Sequence, residues 1–169
     1  MTSSREIRAE VCRFVELNEK EVQVFPIEGL DDLQQQFGDR LIPGLIECLN
    51  DGHPEIRQFV VALLCLARDE SAIPALIERF DDDDCRVVEI LLRIFRLFGP
   101  AGAGAIPKLE PWLDSPNECL RLQAAIAIVA LDPSRSDMKA RIWEATTSED
   151  RAARNMARLH FGQKPDYGA

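Results

Sequence analysis

Apolar residues recur along this chain at helical rather than strand spacing. Ile7, Val11, Phe14 and Val15 fall on one face of an amphipathic helix predicted over residues 5–20. From residue 39 the pattern becomes periodic on a longer scale. Ile42-Pro43, Ile73-Pro74 and Ile106-Pro107 each open a segment reading IPxL, at spacings of 31 and 33 residues. Behind each comes an apolar run, then an acidic turn, then a second apolar run. The turns read LNDGHPE, FDDDDCR and LDSPNEC and begin at Leu49, Phe80 and Leu113.

Each copy is predicted to be a helix pair. Pro43, Pro74 and Pro107 fall in the first turn of the A helices, where a missing N–H costs nothing. Asp51, Asp82 and Asp114 lie in A-to-B turns, where a carboxylate can cap the next helix. Gly99-Pro100 and Asp132-Pro133 break the chain between copies. The A helices are predicted near 39–50, 72–80, 103–113 and 136–147, and the B helices near 54–68, 84–98, 117–131 and 149–161. No single pair hides its apolar face, so the pairs stack and share a core.

The repeat defines the expected organisation: an N-terminal helical cap and linker over 1–38, four repeats over 39–162, and a frayed tail over 163–169. The repeat bounds are 39–70, 71–101, 102–134 and 135–162. Within the first segment, VQVFPIEGL reads as a non-repetitive linker and Asp31 to Phe37 as a short helix. Terminal repeats expose an apolar end, and the N-terminal segment is expected to cover it.

Eight residues after the turn starts stand Arg57, Val88 and Arg121, and 33 residues further on stands Arg154. Ala153-Arg154 with Ala157, Leu159 and Gly162, Leu120-Arg121 with Ala124 and Ala127, and Ile56-Arg57 with Val60 and Leu63 share one signature. That signature, roughly VRxxAxxALG, resembles the second helix of HEAT-like repeats, and it is particularly similar to the short bacterial repeats also seen in phycobilin lyases. The resemblance covers residues 39 to 162. It implies an all-α, right-handed α-α superhelix of about four helix pairs, a solenoid of the HEAT/armadillo kind. It also implies a structural ladder in which the arginine pairs with the turn aspartate, Asp51 with Arg57 and Asp114 with Arg121, with Arg154 as a further member. Val88 departs from the pattern.

Composition narrows the function classes. The net charge of −9 disfavours nucleic acid, whose phosphates require clustered Lys and Arg, and is compatible with a basic protein partner. No apolar run approaches the ~18 residues of a membrane span, and MTSSREIRAE carries charges where a signal peptide would be apolar. Five cysteines without a CxxC pair read as reduced packing residues of a cytoplasmic protein, and the natural-looking termini favour a free-standing one.

The chemical motifs are few. Asp81 to Asp84 lacks the alternation, glycine and terminal glutamate of an EF-hand loop, and reads as a solvated turn that caps a helix. His53 and His160 belong to no metal-binding or catalytic spacing. Gly99 to Gly104, GPAGAG, lacks the strand and lysine of a phosphate loop. No catalytic, metal or cofactor residue is therefore expected, and the chain is read as a non-catalytic module for a protein or peptide partner. An enzyme or enzyme subunit of the phycobilin-lyase type and an acidic antagonist or regulator of a basic protein stand as alternatives.

The candidate binding face is an apolar strip on the B helices. Phe59 to Ala67 reads FVVALLCLA, Ile90 to Phe98 ILLRIFRLF, and Ala124 to Leu131 AAIAIVAL. With Ile56, Val60 and Leu63 inward, Val61, Cys65, Val88, Leu92, Ala125 and Val129 lean toward the concave side, rimmed by Arg57, Glu89, Arg93, Arg96 and Arg121. Such a strip is core between neighbouring pairs, a groove for a partner's helix or a second copy, giving a homodimer, or a surface that residues 5–20 fold back across.

Overall fold

The computed structural model describes the backbone of residues 2–20 and 27–166, and the side chains of 4–16 and 29–166. Most of the linker and the last three residues of the tail lie outside the described residues. Every element is helical: α1 (Thr2–Lys20), α2 (Ile27–Phe37), α3 (Leu41–Cys48), α4 (Pro54–Ala67), α5 (Ile73–Glu78), α6 (Cys85–Ile94), α7 (Ile106–Leu109), α8 (Glu118–Leu131), α9 (Ser136–Glu144) and α10 (Arg151–His160). No strand occurs among the described residues.

The predicted A helices are shorter than their apolar runs suggest. Each regular helix is flanked by 3-10 turns, over Gly38–Arg40 before α3, Arg79–Asp81 after α5, Glu110–Asp114 after α7 and Ala145–Thr147 after α9. Prolines at the first turns are placed as the sequence requires, Pro74 in α5 and Pro107 in α7. Pro111 explains the brevity of α7, since it removes the N–H that would continue the helix. The B helix predicted over 84–98 loses α-helical geometry after Ile94. A 3-10 stretch follows over Phe95–Ala105, broken at Gly99, whose φ of 56° and ψ of −148° suit glycine alone.

The chain forms two compact units, Met1–Ile94 and Phe95–Ala169. In the first, α1 packs on α3 and α4, and α4 packs on α6. Its core contains Ile7, Val11, Leu41, Leu45, Val60, Leu63, Leu64, Leu76 and Leu91. The close seating of α1 depends on Gly44, the variable position of the first IPxL, because a Cβ there would stand 2.3 Å from Ile7 Cδ1. In the second unit, α8 is central. It packs on the Phe95–Ala105 stretch, on α9 and on α10, and contributes Leu122, Ala124, Ala125, Ala127, Ile128 and Leu131 to the interior. The alanines let neighbouring helices approach α8 on several sides.

Part of the tail is held in place. Asn155 Nδ2 donates to the Asp166 carbonyl, the Asp166 N–H donates to Asn155 Oδ1, and Arg154 Nη2 reaches the Asp166 carboxylate at 3.0 Å. The expectation of fraying from residue 163 is thus revised as far as Asp166, where these bonds and one from Arg151 Nε to the Asp166 carbonyl offset the ordering cost.

Helix α4 ends on Arg68, which adopts the left-handed conformation (φ 54°, ψ 28°) and donates its N–H to the Leu64 carbonyl. A side chain there carries a Cβ penalty that glycine avoids. Arg68→Gly is expected to stabilise the fold by about 0.5–1 kcal/mol, less the extra entropy glycine gives the unfolded chain. Urea unfolding checks this through a higher midpoint at unchanged slope.

Candidate functional site

The repeating arginine is the most ordered polar feature of the chain, and its geometry differs from the expected pairing. Arg57 does not bond the Asp51 carboxylate. Its Nη1 donates to the Asp51 backbone carbonyl at 2.9 Å, six residues back. Its Nε and Nη2 form a fork onto the two Asp82 oxygens at 2.9 and 2.6 Å, in the turn of the following copy, and Nη2 also reaches Asp83. The guanidinium thus ties the turn of its own copy to the next. The pair is secluded, with side-chain exposures of 8% for Arg57 and 1% for Asp82. Burial alone would push the Asp82 carboxyl up. The bonds from Arg57 and the Asp84 N–H, with the Arg57 charge, outweigh it and hold the group below the usual carboxylate range.

The Asp51 carboxylate is claimed by Arg8 of α1, through Nε and Nη2. Arg8 was not singled out from the sequence, although the signal was present: Glu6-Ile7-Arg8 with Val11 repeats Glu55-Ile56-Arg57 with Val60. Helix α1 thereby stands to the first repeat as one B helix stands to the next pair.

The same backbone bond recurs in the second unit. Arg121 donates to the Ser115 carbonyl and Arg154 to the Ser148 carbonyl, each six residues back. The turn residues also correspond. Asp51 accepts from the His53 N–H, Asp82 from that of Asp84, Ser115 Oγ from that of Asn117, and Ser148 Oγ from that of Asp150. Asp114 is therefore not the counterpart of Asp51. Ser115 is, and Arg121 bonds the backbone of Ser115 and Pro116 rather than Asp114. The expected pairs Asp51–Arg57 and Asp114–Arg121 are both corrected: each arginine uses its own turn's carbonyl, and Arg57 takes its carboxylate from the next turn. Arg154 finds one in Asp166.

The acidic run is spent within this scheme. Asp82 and Asp83 bind Arg57, while Asp84 accepts from the Arg86 N–H at the start of α6 and pairs with the Arg86 side chain, which also reaches Glu55. Among the described residues, no group of three His, Cys, Asp or Glu side chains is placed to hold a metal ion.

The apolar strip lies in the interior. Val61, Cys65, Val88, Leu92, Ala125 and Val129 are all buried. This corrects the reading of them as an open groove: α4, α6 and α8 are apolar nearly all round because they are covered nearly all round. Burial also pushes the Cys65 thiol well above its ordinary value. Glu89 and Arg93 in the first unit and Arg96 in the second remain exposed.

Among the described residues, the exposed large apolar side chains lie elsewhere, at Trp143, Leu159 and Phe161, with exposures of 56%, 59% and 37%. Trp143 and Phe161 meet edge to face at 5.4 Å between centroids. Trp143 is out of phase with the core positions Met138 and Ile142 of α9, which was a readable sign of its exposure. Clefts occur in both units. One, of about 330 Å³, lies beside Arg8, Cys12, His53 and Ile56 in the first unit. The other, of about 250 Å³, lies in the second unit between Arg121, Arg141, Glu144 and Ser148.

The model of the HEAT-repeat family matches residues 42–129, and the chain belongs to that family. Among solved structures, the complex of CpcE and CpcF of phycocyanin lyase from Nostoc sp. PCC7120 is similar, with a TM-score of 0.61 and 22% sequence identity. The match covers 84% of this chain and 57% of that one, so the chain spans little more than half the length of that relative. No curated protein matches the sequence. The fold class is that of an all-α solenoid of helix pairs, and its repeats are those of a protein-interaction module. The expectation that the chain is not an enzyme is overturned by the same likeness. The fold is shared with a lyase subunit, so a solenoid without a familiar catalytic motif is no ground for excluding a part in catalysis. No helix among the described residues is long and apolar enough to cross a membrane.

Removing Arg57 would leave the Asp82 carboxylate buried without its counter-charge. Arg57→Met is expected to destabilise the protein by about 3 kcal/mol at pH 7. Because the folded-state pKa of Asp82 is depressed, the pair's contribution is complete above about pH 4 and is lost as pH falls through the folded value. Unfolding free energies measured from pH 2 to 7 should therefore show parent and variant converging at the acid end.

Proposed function

We propose that this chain is a protein-binding HEAT-repeat subunit of an enzyme complex of the lyase kind, and that it docks its partner on the aromatic face of its last helix pair. The observation that carries the reading is the exposed Trp143–Phe161 pair, with Leu159 a further exposed apolar side chain of the same helix pair. Large apolar side chains gathered on the surface are what a partner protein covers, and an edge-to-face aromatic pair is a rigid anchor for it. The likeness to a subunit of a two-chain phycocyanin lyase supports both halves: a solenoid of this type assembles with a second chain there, and the assembly is an enzyme. Glu89, Arg93 and Arg96 are additional charged contacts available in their respective units.

The test is to purify the tagged chain from its native cells, alongside Trp143→Ser/Phe161→Ser. The parent is expected to bring down a partner chain in equal amount, and the eluate to change the visible absorbance of a phycobilin mixed with an apo-phycobiliprotein. The double variant should keep its helicity and melting temperature but lose the partner. A parent that elutes alone and leaves the bilin spectrum unchanged would contradict the reading.

A further inference from the structure

The ladder has one rung in which the arginine is kept and the carboxylate is missing. In the first unit, Arg8 meets the carboxylate of Asp51 and Arg57 that of Asp82. The corresponding turn position after Arg121 is Ser148, fixed by the same side-chain bond from the N–H two residues on. A serine hydroxyl is shorter than a carboxylate and carries no charge. Arg121 spends only Nη1, on the carbonyls of Ser115 and Pro116. Among the described residues, no carboxylate lies within ion-pair distance of Arg121. In place of the missing group is the cleft of about 250 Å³ that Arg121 and Ser148 both line, with Arg141 beside them. Arg141 donates Nη2 to the Leu113 carbonyl and likewise has no ion pair among the described residues.

We propose that this cleft takes a carboxylate from the partner protein, a Glu or Asp side chain that completes the Arg121 rung in trans. This rests on the protein-binding reading above and gives that partner a chemical signature. The planar fork left on Arg121 matches a carboxylate bidentately, as Arg57 matches Asp82. Glu118 and Glu144 also line the cleft. Their charges favour a single monovalent anion over a phosphate dianion, and the cleft is of side-chain size rather than the size of a large chromophore.

The test uses the full chain with ¹⁵N-labelled arginine and follows the Nε–Hε resonances, with that of Arg121 assigned by its loss in Arg121→Lys. The probes are the amide of N-acetylglutamate, its neutral glutamine counterpart and inorganic phosphate. The glutamate probe is expected to shift the Arg121 resonance saturably, the glutamine probe to leave it unmoved, and phosphate to shift it less. Ser148→Asp restores the carboxylate in cis. It should abolish the response to the glutamate probe and raise the melting temperature by about 2 °C. An equal response to the glutamine probe, a stronger one to phosphate, no response at all, or an undiminished one in Ser148→Asp would each overturn the proposal. The titration needs no partner, so its failure leaves the lyase-subunit reading standing, and the loss of that reading leaves the carboxylate site intact.

Discussion

A guanidinium held between two turns is the interaction on which the arrangement of the helix pairs in the first unit depends. Apolar burial drives the helices together but is non-directional, and helices rich in Leu, Val and Ala can slide on one another at small cost. The Arg57 fork is directional. It fixes the Asp51 turn by its backbone and the Asp82 turn by its carboxylate, so it sets the offset between successive copies. Arg8 extends the same device to α1, and this makes the N-terminal helix part of the repeat scheme.

The ladder also accounts for where polar groups are buried. Arg57 is one of two polar residues buried as whole residues among those described, and the Asp82 side chain beside it is only 1% exposed. Each would be costly alone. Together, with the Asp51 carbonyl and the Asp84 N–H, they fill one another's hydrogen-bonding capacity. In the second unit the scheme loosens: Ser115 and Ser148 replace aspartates, and Arg121 keeps only its carbonyl bonds. The exposed Trp143–Phe161 pair and the Arg121 cleft occur in that same unit.

Much of the fold was legible in the sequence because its signals are local. The IPxL openings, the helix-breaking Gly-Pro and Asp-Pro steps and the 31- to 33-residue period all act within one copy. The partners of the arginines were not legible, since an aspartate six residues before Arg57 fits either a carboxylate or a carbonyl bond, and only the stacking of copies decides between them. Asp114 misled because it lies one residue from Ser115, the true turn position. Continuous apolar helices left core and groove equally open, and the burial of Val61, Leu92 and Ala125 resolves that choice within each unit. Charge and motif content gave no ground for deciding on catalysis, because a repeat fold carries no catalytic signature of its own.

The most direct test of this account is a double-mutant cycle on Arg57→Met and Asp82→Asn, read by urea unfolding at pH 7. If the buried fork orders the helix pairs, the two residues should be coupled by about 2 kcal/mol, with the double variant more stable than the sum of the single losses predicts. A coupling energy near zero would mean that apolar packing alone sets the register, and the ladder would then be a consequence of the fold and not its constraint.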